Sequence, residues 1–179
     1  FVPEERIKSQ LESAKHLLCM DTSEASGGDD ISLRLIDTTD GRLVASGTYN
    51  ETNIITFSEW VTSWFVKYEN IIGIIERRST GSTVLDHLLL ILPSMGIDPF
   101  KRLFNRVVND AEEYPERFRE IQQPMGRRPS DVYVRYKKHF GFATSGTGIT
   151  SRTELYSSTL QAAAKQVGDV VYDKKTIDQ

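Results

Sequence analysis

The stretch His16 to Asp30, HLLCMDTSEASGGDD, decides how the chain is read. An apolar run, Leu17-Leu18-Cys19-Met20, ends in one carboxylate, Asp21. Small residues follow from Ser23 to Gly28, and two further acids, Asp29 and Asp30, close the stretch. Such a run suits a strand buried on both faces. A second run, Ile71-Ile72-Gly73-Ile74-Ile75, ends in Glu76 in the same way. Two buried strands that each deliver one acid can bring both carboxylates to the same end of a sheet. Mg²⁺ and Mn²⁺ take hard oxygen ligands and keep some of their waters, so the pair is a candidate metal site. Two such ions about 3.5–4 Å apart suit phosphodiester hydrolysis. The competing reading is that each acid is simply the polar residue that ends its strand. Asp29, after two glycines, reads as a turn residue. Asp30 is either another turn residue or a third contributor to the site.

Outward from this stretch, the pattern alternates between strands and helices. Ile31 to Asp37 sets Ile31, Leu33 and Leu35 against Ser32, Arg34 and Ile36, and Asp40-Gly41 is a hairpin signal. Arg42 to Tyr49 predicts a third strand, with Gly47 marking a bulge. Thr56 to Tyr68 predicts a helix capped by Thr56 and Glu59, with Phe57, Trp60, Val61, Trp64 and Phe65 on its core face. The Glu76 strand follows, then a helix over Ser82 to Leu92. Strand, helix, strand, helix at this spacing predicts a crossover and a parallel pair. Pro99 to Glu113 predicts one helix, Glu116 to Gln122 a short helix, Gln123 to Pro129 a loop and Asp131 to Tyr136 a strand. Ser151 caps a helix to Gln166 that Gly168 ends. Val170 to Tyr172 predicts a short strand, and Lys174 to Gln179 a helix start.

At the near end, Phe1 to Ala14 is charged, with Pro3 opening a short helix in which Ile7 and Leu11 lie one turn apart. Residues 1–14 read as a linker or the tail of an upstream domain, and 15–179 as one domain. The chain begins at Phe1 with no Met, as a fragment of a longer protein would. A net charge of -3 provides no general attraction for nucleic acid, so a DNA face has to be local. The basic candidates are Arg77 and Arg78 beside Glu76, and Arg127, Arg128, Lys137, Lys138 and Arg152, interleaved with Tyr133, Tyr136 and Phe140. Their alternative is a solvated surface. The single cysteine, Cys19, reads as a small core residue and excludes an internal disulfide. No apolar run approaches the roughly 18 residues of a membrane span, and no signal peptide is visible. His16, His87 and His139 lack metal-ligand spacing. Of these, His87 reads as structural, while His139 lies beside the basic cluster and stays a candidate. Phosphate-loop, dinucleotide, nucleophile-elbow and zinc motifs are absent from the 179 residues.

The order of these features resembles the nuclease domain of the large terminase subunit of tailed bacteriophages, a ribonuclease H-like fold. The resemblance rests on the strand into Asp21, the Gly-rich loop with Asp30, and the strand into Glu76 with its polar turn and Gly81. It extends to Gly141-Phe142-Ala143-Thr144, Arg152 with its helix, Val171-Tyr172-Asp173 and Thr176-Ile177-Asp178, a run similar to the family's "G-F-x-T … R … L … D … I". It implies an α/β fold whose mixed sheet has three antiparallel strands plus parallel strands, flanked by helices. It implies a metal-dependent endonuclease that cuts concatemeric double-stranded viral DNA, with Asp21 and Glu76 as catalytic ligands for two Mg²⁺ or Mn²⁺ ions. It also implies an upstream ATPase domain in the same polypeptide, a portal and a small terminase subunit as partners, and the host cell cytoplasm as the location. The chain departs from the family in placing Arg77 and Arg78 where Asn often follows the glutamate. The family's third catalytic acid lies past the late helix, and no residue up to Gln179 is assigned to it. A non-catalytic DNA-binding or packaging-interaction module is one alternative, and another ribonuclease H-like enzyme, such as a junction resolvase or transposase, is a second.

Overall fold

A computed structural model describes residues 4–22, 30–50, 53–78, 80–122, 131, 135–148 and 150–165. After helix α1 (Glu4–Ser13), the chain enters β1 (His16–Asp21), the strand on which the sheet is built. β2 (Ile31–Asp37) pairs antiparallel along one edge of β1, and β3 (Leu43–Tyr49) pairs antiparallel with β2. Helix α2 (Ile54–Lys67) then carries the chain across to β4 (Ile71–Ile75), which runs parallel to β1 on its other edge. The strand order is β3-β2-β1-β4. This mixed sheet, flanked by helices, is the α/β architecture expected, and it is compatible with a ribonuclease H-like fold.

The strands alternate between buried and half-buried residues. Leu18 and Met20 of β1, Ile31, Leu33 and Leu35 of β2, and Ile71 and Ile75 of β4 enter one core. β1 is therefore buried on one face and only half-buried on the other, where Cys19 lies. Its thiol pKa is nevertheless pushed up by burial. Phe57, Val61 and Phe65 of α2 complete the core together with Val84, Leu85, Leu88, Leu89 and Leu92 of α3 (Thr80–Ser94). Trp60 and Trp64 pack half-buried against it, in a row of rings that runs from Tyr49 through both tryptophans to Tyr68. Leu11 of α1 is also core, and Asn70 Nδ2 donates to the Glu12 carbonyl at 2.9 Å.

Several local expectations need correction. The α2 cap is Asn53, whose side chain accepts from the Ile55 and Thr56 N–H groups, so the helix starts before Thr56. The β2–β3 irregularity falls where Leu35 pairs with Ala45 and Ile36 with Leu43, leaving Val44 as the extra residue; Gly47 pairs regularly with Leu33. Pro99 to Glu113 is not one helix. It breaks into α4 (Pro99–Arg102) and α5 (Arg106–Asn109), with extended backbone at Leu103 and Asn105. There the chain runs beside β4: Leu103 bridges Gly73 in parallel and the Phe104 N–H donates to the Gly73 carbonyl at 2.8 Å. Buried Asn105 supports the break by capping α5 at the Val108 N–H, 2.9 Å away, and by donating to the Phe100 and Leu103 carbonyls. Bonding to a sheet edge outweighs helix periodicity here. α6 (Pro115–Gln122) forms as expected, while Asp131, Arg135 and Tyr136 are helical and not strand. A 3₁₀ turn follows at Lys137–His139, and α7 spans Arg152–Lys165. The loop expected at 123–129, the strand at 170–172 and the helix start at 174–179 lie outside the described residues. Among the described residues, no helix is long and apolar enough to cross a membrane.

Arg102 fastens the carboxyl end of α2 to the start of β4. Its guanidinium donates to the carbonyls of Phe65 at 3.0 Å, Ile71 at 2.9 Å and Tyr68. Half-burial lowers its pKa, and three carbonyl acceptors satisfy the cation. Replacing Arg102 with Met keeps the stem and orphans those carbonyls. The Arg102→Met variant is expected to lose about 2–3 kcal/mol of stability, seen as a lower urea midpoint at unchanged slope.

Candidate metal and phosphate site

The parallel register of β1 and β4 determines the site. Met20 lies opposite Ile75, and the Glu76 N–H donates to the Met20 carbonyl at 3.0 Å. Asp21 and Glu76 are the next residues on their strands, so they leave the sheet as neighbours. The two carboxyls stand close enough for Glu76 to act on the ionisation of Asp21. Burial is the largest cause raising the Asp21 pKa above the ordinary carboxylate value; the Glu76 hydrogen bond and charge add to it, while Arg152 and Arg78 oppose it. Asp21 still opens to solvent, whereas Glu76 is half-buried.

Two segments close around Glu76. The first is the start of α3, where a Cβ on Gly81 would stand 2.0 Å from the Glu76 carbonyl oxygen and 2.6 Å from Thr22 Oγ1. Only glycine allows the helix to begin so close to the strand end. The second is the late segment 140–145. Phe142 bridges Glu76 in parallel, its N–H donating to the Ile75 carbonyl at 2.8 Å and its carbonyl accepting from the Arg77 N–H. Gly141 enters this bridge at φ +82°, in the left-handed region that favours glycine. Two residues beyond Phe142, Thr144 Oγ1 donates to Glu76 Oε1 at 2.9 Å. This bond fixes one carboxylate oxygen and leaves the other for Asp21 or a cation.

Arg77, Arg78, Thr144, Ser145, Gly146 and Arg152 line a cavity of about 370 Å³. A tight loop brings Arg152 there: the Ser145 N–H donates to the Thr150 carbonyl at 3.0 Å, and the Ser151 N–H to the Gly148 carbonyl at 2.9 Å. Ser151 then caps α7, accepting from the Glu154 N–H at 3.2 Å. Three arginines thus line a cavity near the two carboxylates.

The structure therefore brings together Asp21, Glu76, Arg77, Arg78 and Arg152. Asp30 stands exposed just before β2, at the end of the sheet where Asp21 pairs with Ser32. Lys137 and Lys138 are exposed on the 3₁₀ turn, and Arg127 and Arg128 lie outside the described residues. Among the histidines, His16 is buried with Nδ1 2.9 Å from the Ala14 carbonyl, and His139 contacts Arg117. Sequence reasoning assigned no role to Thr144, Ser145, Gly146 or Thr22. Thr144 had a signal in the G-F-A-T run; the others had none.

The donor set suits a hard divalent cation. Two adjacent carboxyls need a shared proton or a cation between them, and every available donor is oxygen. Among the described residues, no three His, Cys, Asp or Glu side chains gather as a metal-holding group. The remaining positions on such an ion would fall to water and substrate oxygens. Compared with models of known protein families and with curated proteins, the chain matches none.

Two outcomes are expected. A raised Asp21 pKa means that the folded chain holds this proton more tightly than the unfolded chain, so ionised Asp21 costs stability, increasingly as pH rises through the carboxylate range. Without divalent cations at pH 7, Asp21→Asn should raise Tm by about 1–3 °C; a lower Tm would contradict the strained-pair reading. Gly81→Ala should push α3 off Glu76 and cost about 1–3 kcal/mol in denaturant unfolding.

Proposed function

We propose that the chain is a divalent-metal-dependent DNA endonuclease domain, of the kind its motif order resembles in the large terminase subunit. The observation that carries the reading is the placing of Asp21 and Glu76 side by side at the ends of adjacent parallel strands, near a cavity lined by Arg77, Arg78 and Arg152. Phosphodiester hydrolysis needs these two charge types together. Acids hold the cation, and fixed guanidiniums take the phosphate that approaches it.

In this reading Asp21 and Glu76 hold Mg²⁺ or Mn²⁺, with Asp30 a further contributor at the same end of the sheet. When bound, the ion supplies Lewis acidity at the scissile phosphate. Thr144 orients Glu76 by donating to Oε1, and Arg77, Arg78 and Arg152 neutralise the strand backbone. Lys137, Lys138, Arg127 and Arg128 are proposed as outer DNA contacts. The substrate is double-stranded viral DNA, cut from a concatemer during packaging. An upstream ATPase domain, a portal, a small terminase subunit and the host cytoplasm accompany this reading through the resemblance alone.

The test is divalent-dependent relaxation of supercoiled plasmid in Mn²⁺. Asp21→Asn and Glu76→Gln are each expected to abolish cutting. Thr144→Val should lower activity or metal affinity about ten- to a hundredfold. Cutting at the wild-type rate by both acid variants would sink the assignment. Retardation of DNA by wild-type protein that never cuts it would favour a packaging-interaction module, and preference for branched DNA a junction resolvase.

A further inference from the structure

A second basic cluster lies outside the cavity. Arg117, on α6, sets Nη1 3.0 Å from His139 Nε2 and lays its guanidinium over the Tyr114 ring, 5.2 Å from the centroid. His139 meets the same ring edge-on at 5.4 Å and is 8% exposed. A guanidinium only donates, so the imidazole nitrogen facing it is an acceptor and the ring is neutral. Burial first, then Arg117, Lys138, Arg106 and Arg77, lowers the His139 pKa and keeps it so.

This arrangement is unusual in what it leaves unneutralised. Arg106 also lies over Tyr114, but Asp110 at 2.9 Å and Glu113 at 3.1 Å balance its charge. Arg117 has no carboxylate partner among the described residues; its two partners are uncharged. Its guanidinium is thus held in place without an ion pair among the described residues. A mobile surface arginine would lose side-chain entropy on meeting an anion, whereas one already fixed by a ring and an acceptor loses little. Arg117, Lys138 and Arg77 all bear on one imidazole with like charge, in a chain whose net charge is -3, while the fourth cation, Arg106, is already paired. An anion offsets that like charge. Arg77 acts on His139 through its charge and also lines the cavity beside Glu76.

We infer that Arg117, held by Tyr114 and His139, is a seat for a backbone phosphate of the DNA strand, outside the phosphate handled at the acidic pair. His139 and Tyr114 are positioning residues that act through Arg117. The inference rests on the nuclease reading for the identity of its ligand, and it adds an anchor beyond the cavity that sets the path of the strand.

The test is fluorescence anisotropy of a labelled 30-base-pair duplex across a salt series, in Ca²⁺. Removing one phosphate-neutralising cation makes the plot of log K against log salt shallower by about one. Arg117→Gln is expected to weaken binding several-fold and to reduce the slope by about one. Arg106→Gln, whose charge is already balanced, should change the slope less. His139→Leu should weaken binding at unchanged slope, because the charge survives without its positioning; Arg117→Lys should do the same. A folded Arg117→Gln protein with wild-type affinity and slope overturns the inference. If Arg117→Gln does not fold, wild-type affinity in both Arg117→Lys and His139→Leu overturns it. The two readings fail separately. If Asp21→Asn abolishes plasmid cutting while Arg117→Gln binds DNA as wild type does, the nuclease stands without this seat. Binding weakened by Arg117→Gln in a protein that cuts nothing keeps the seat and overturns the nuclease.

Discussion

The parallel pairing of β1 with β4 is the constraint on which the rest depends. A parallel pair cannot be closed by a tight turn, so the chain has to leave the sheet, cross by α2 and return. That crossing lets two strands distant in sequence finish at the same level, with Met20 opposite Ile75. One residue further, both chains carry an acid. A slip of one residue in this register would turn Leu18 and Met20 out of the core as well as separating the acids. Burial of the alternate apolar residues therefore enforces the geometry of the polar pair.

The electrostatics follow from that placement. Two adjacent carboxyls, one half-buried and the other partly desolvated, are costly as a doubly ionised pair, and the folded chain responds by holding a proton on Asp21 more tightly. Around them, Arg78 and Arg152 partly offset the cost, and Thr144 holds one Glu76 oxygen. Arg77, Arg78 and Arg152 line a cavity near the pair. Local charge, and not the overall balance of -3, defines the surface.

Much of this was legible in the sequence where local pattern and burial agree. Strand alternation in Ile31 to Asp37, the apolar runs into Asp21 and Glu76, and the Ser151 cap all reappear. Misreadings occur where tertiary bonding overrides local preference. The run from Pro99 has helical periodicity, yet the sheet edge at Gly73 accepts its backbone and Asn105 divides it in two. Asn105 could have been read as a cap, since asparagine favours that position. The placement of Thr144 against Glu76 and of Arg117 against His139 depends on segments meeting across the fold, which no spacing in the sequence encodes.

The bond from Thr144 to Glu76 joins residues 68 apart, and the Phe142 bridge beside it is similarly long-range. Both lie beyond the regular ladders of β1 to β4. β1 to β4 and their two helices share a core with Tyr136 and Phe140, and segment 141–144 leaves that core, half-buried or exposed beyond Gly141. Local opening of such a segment has a smaller free energy than global unfolding. The carboxylate geometry at Glu76 thus depends on contacts that lie outside the ladder of the sheet itself.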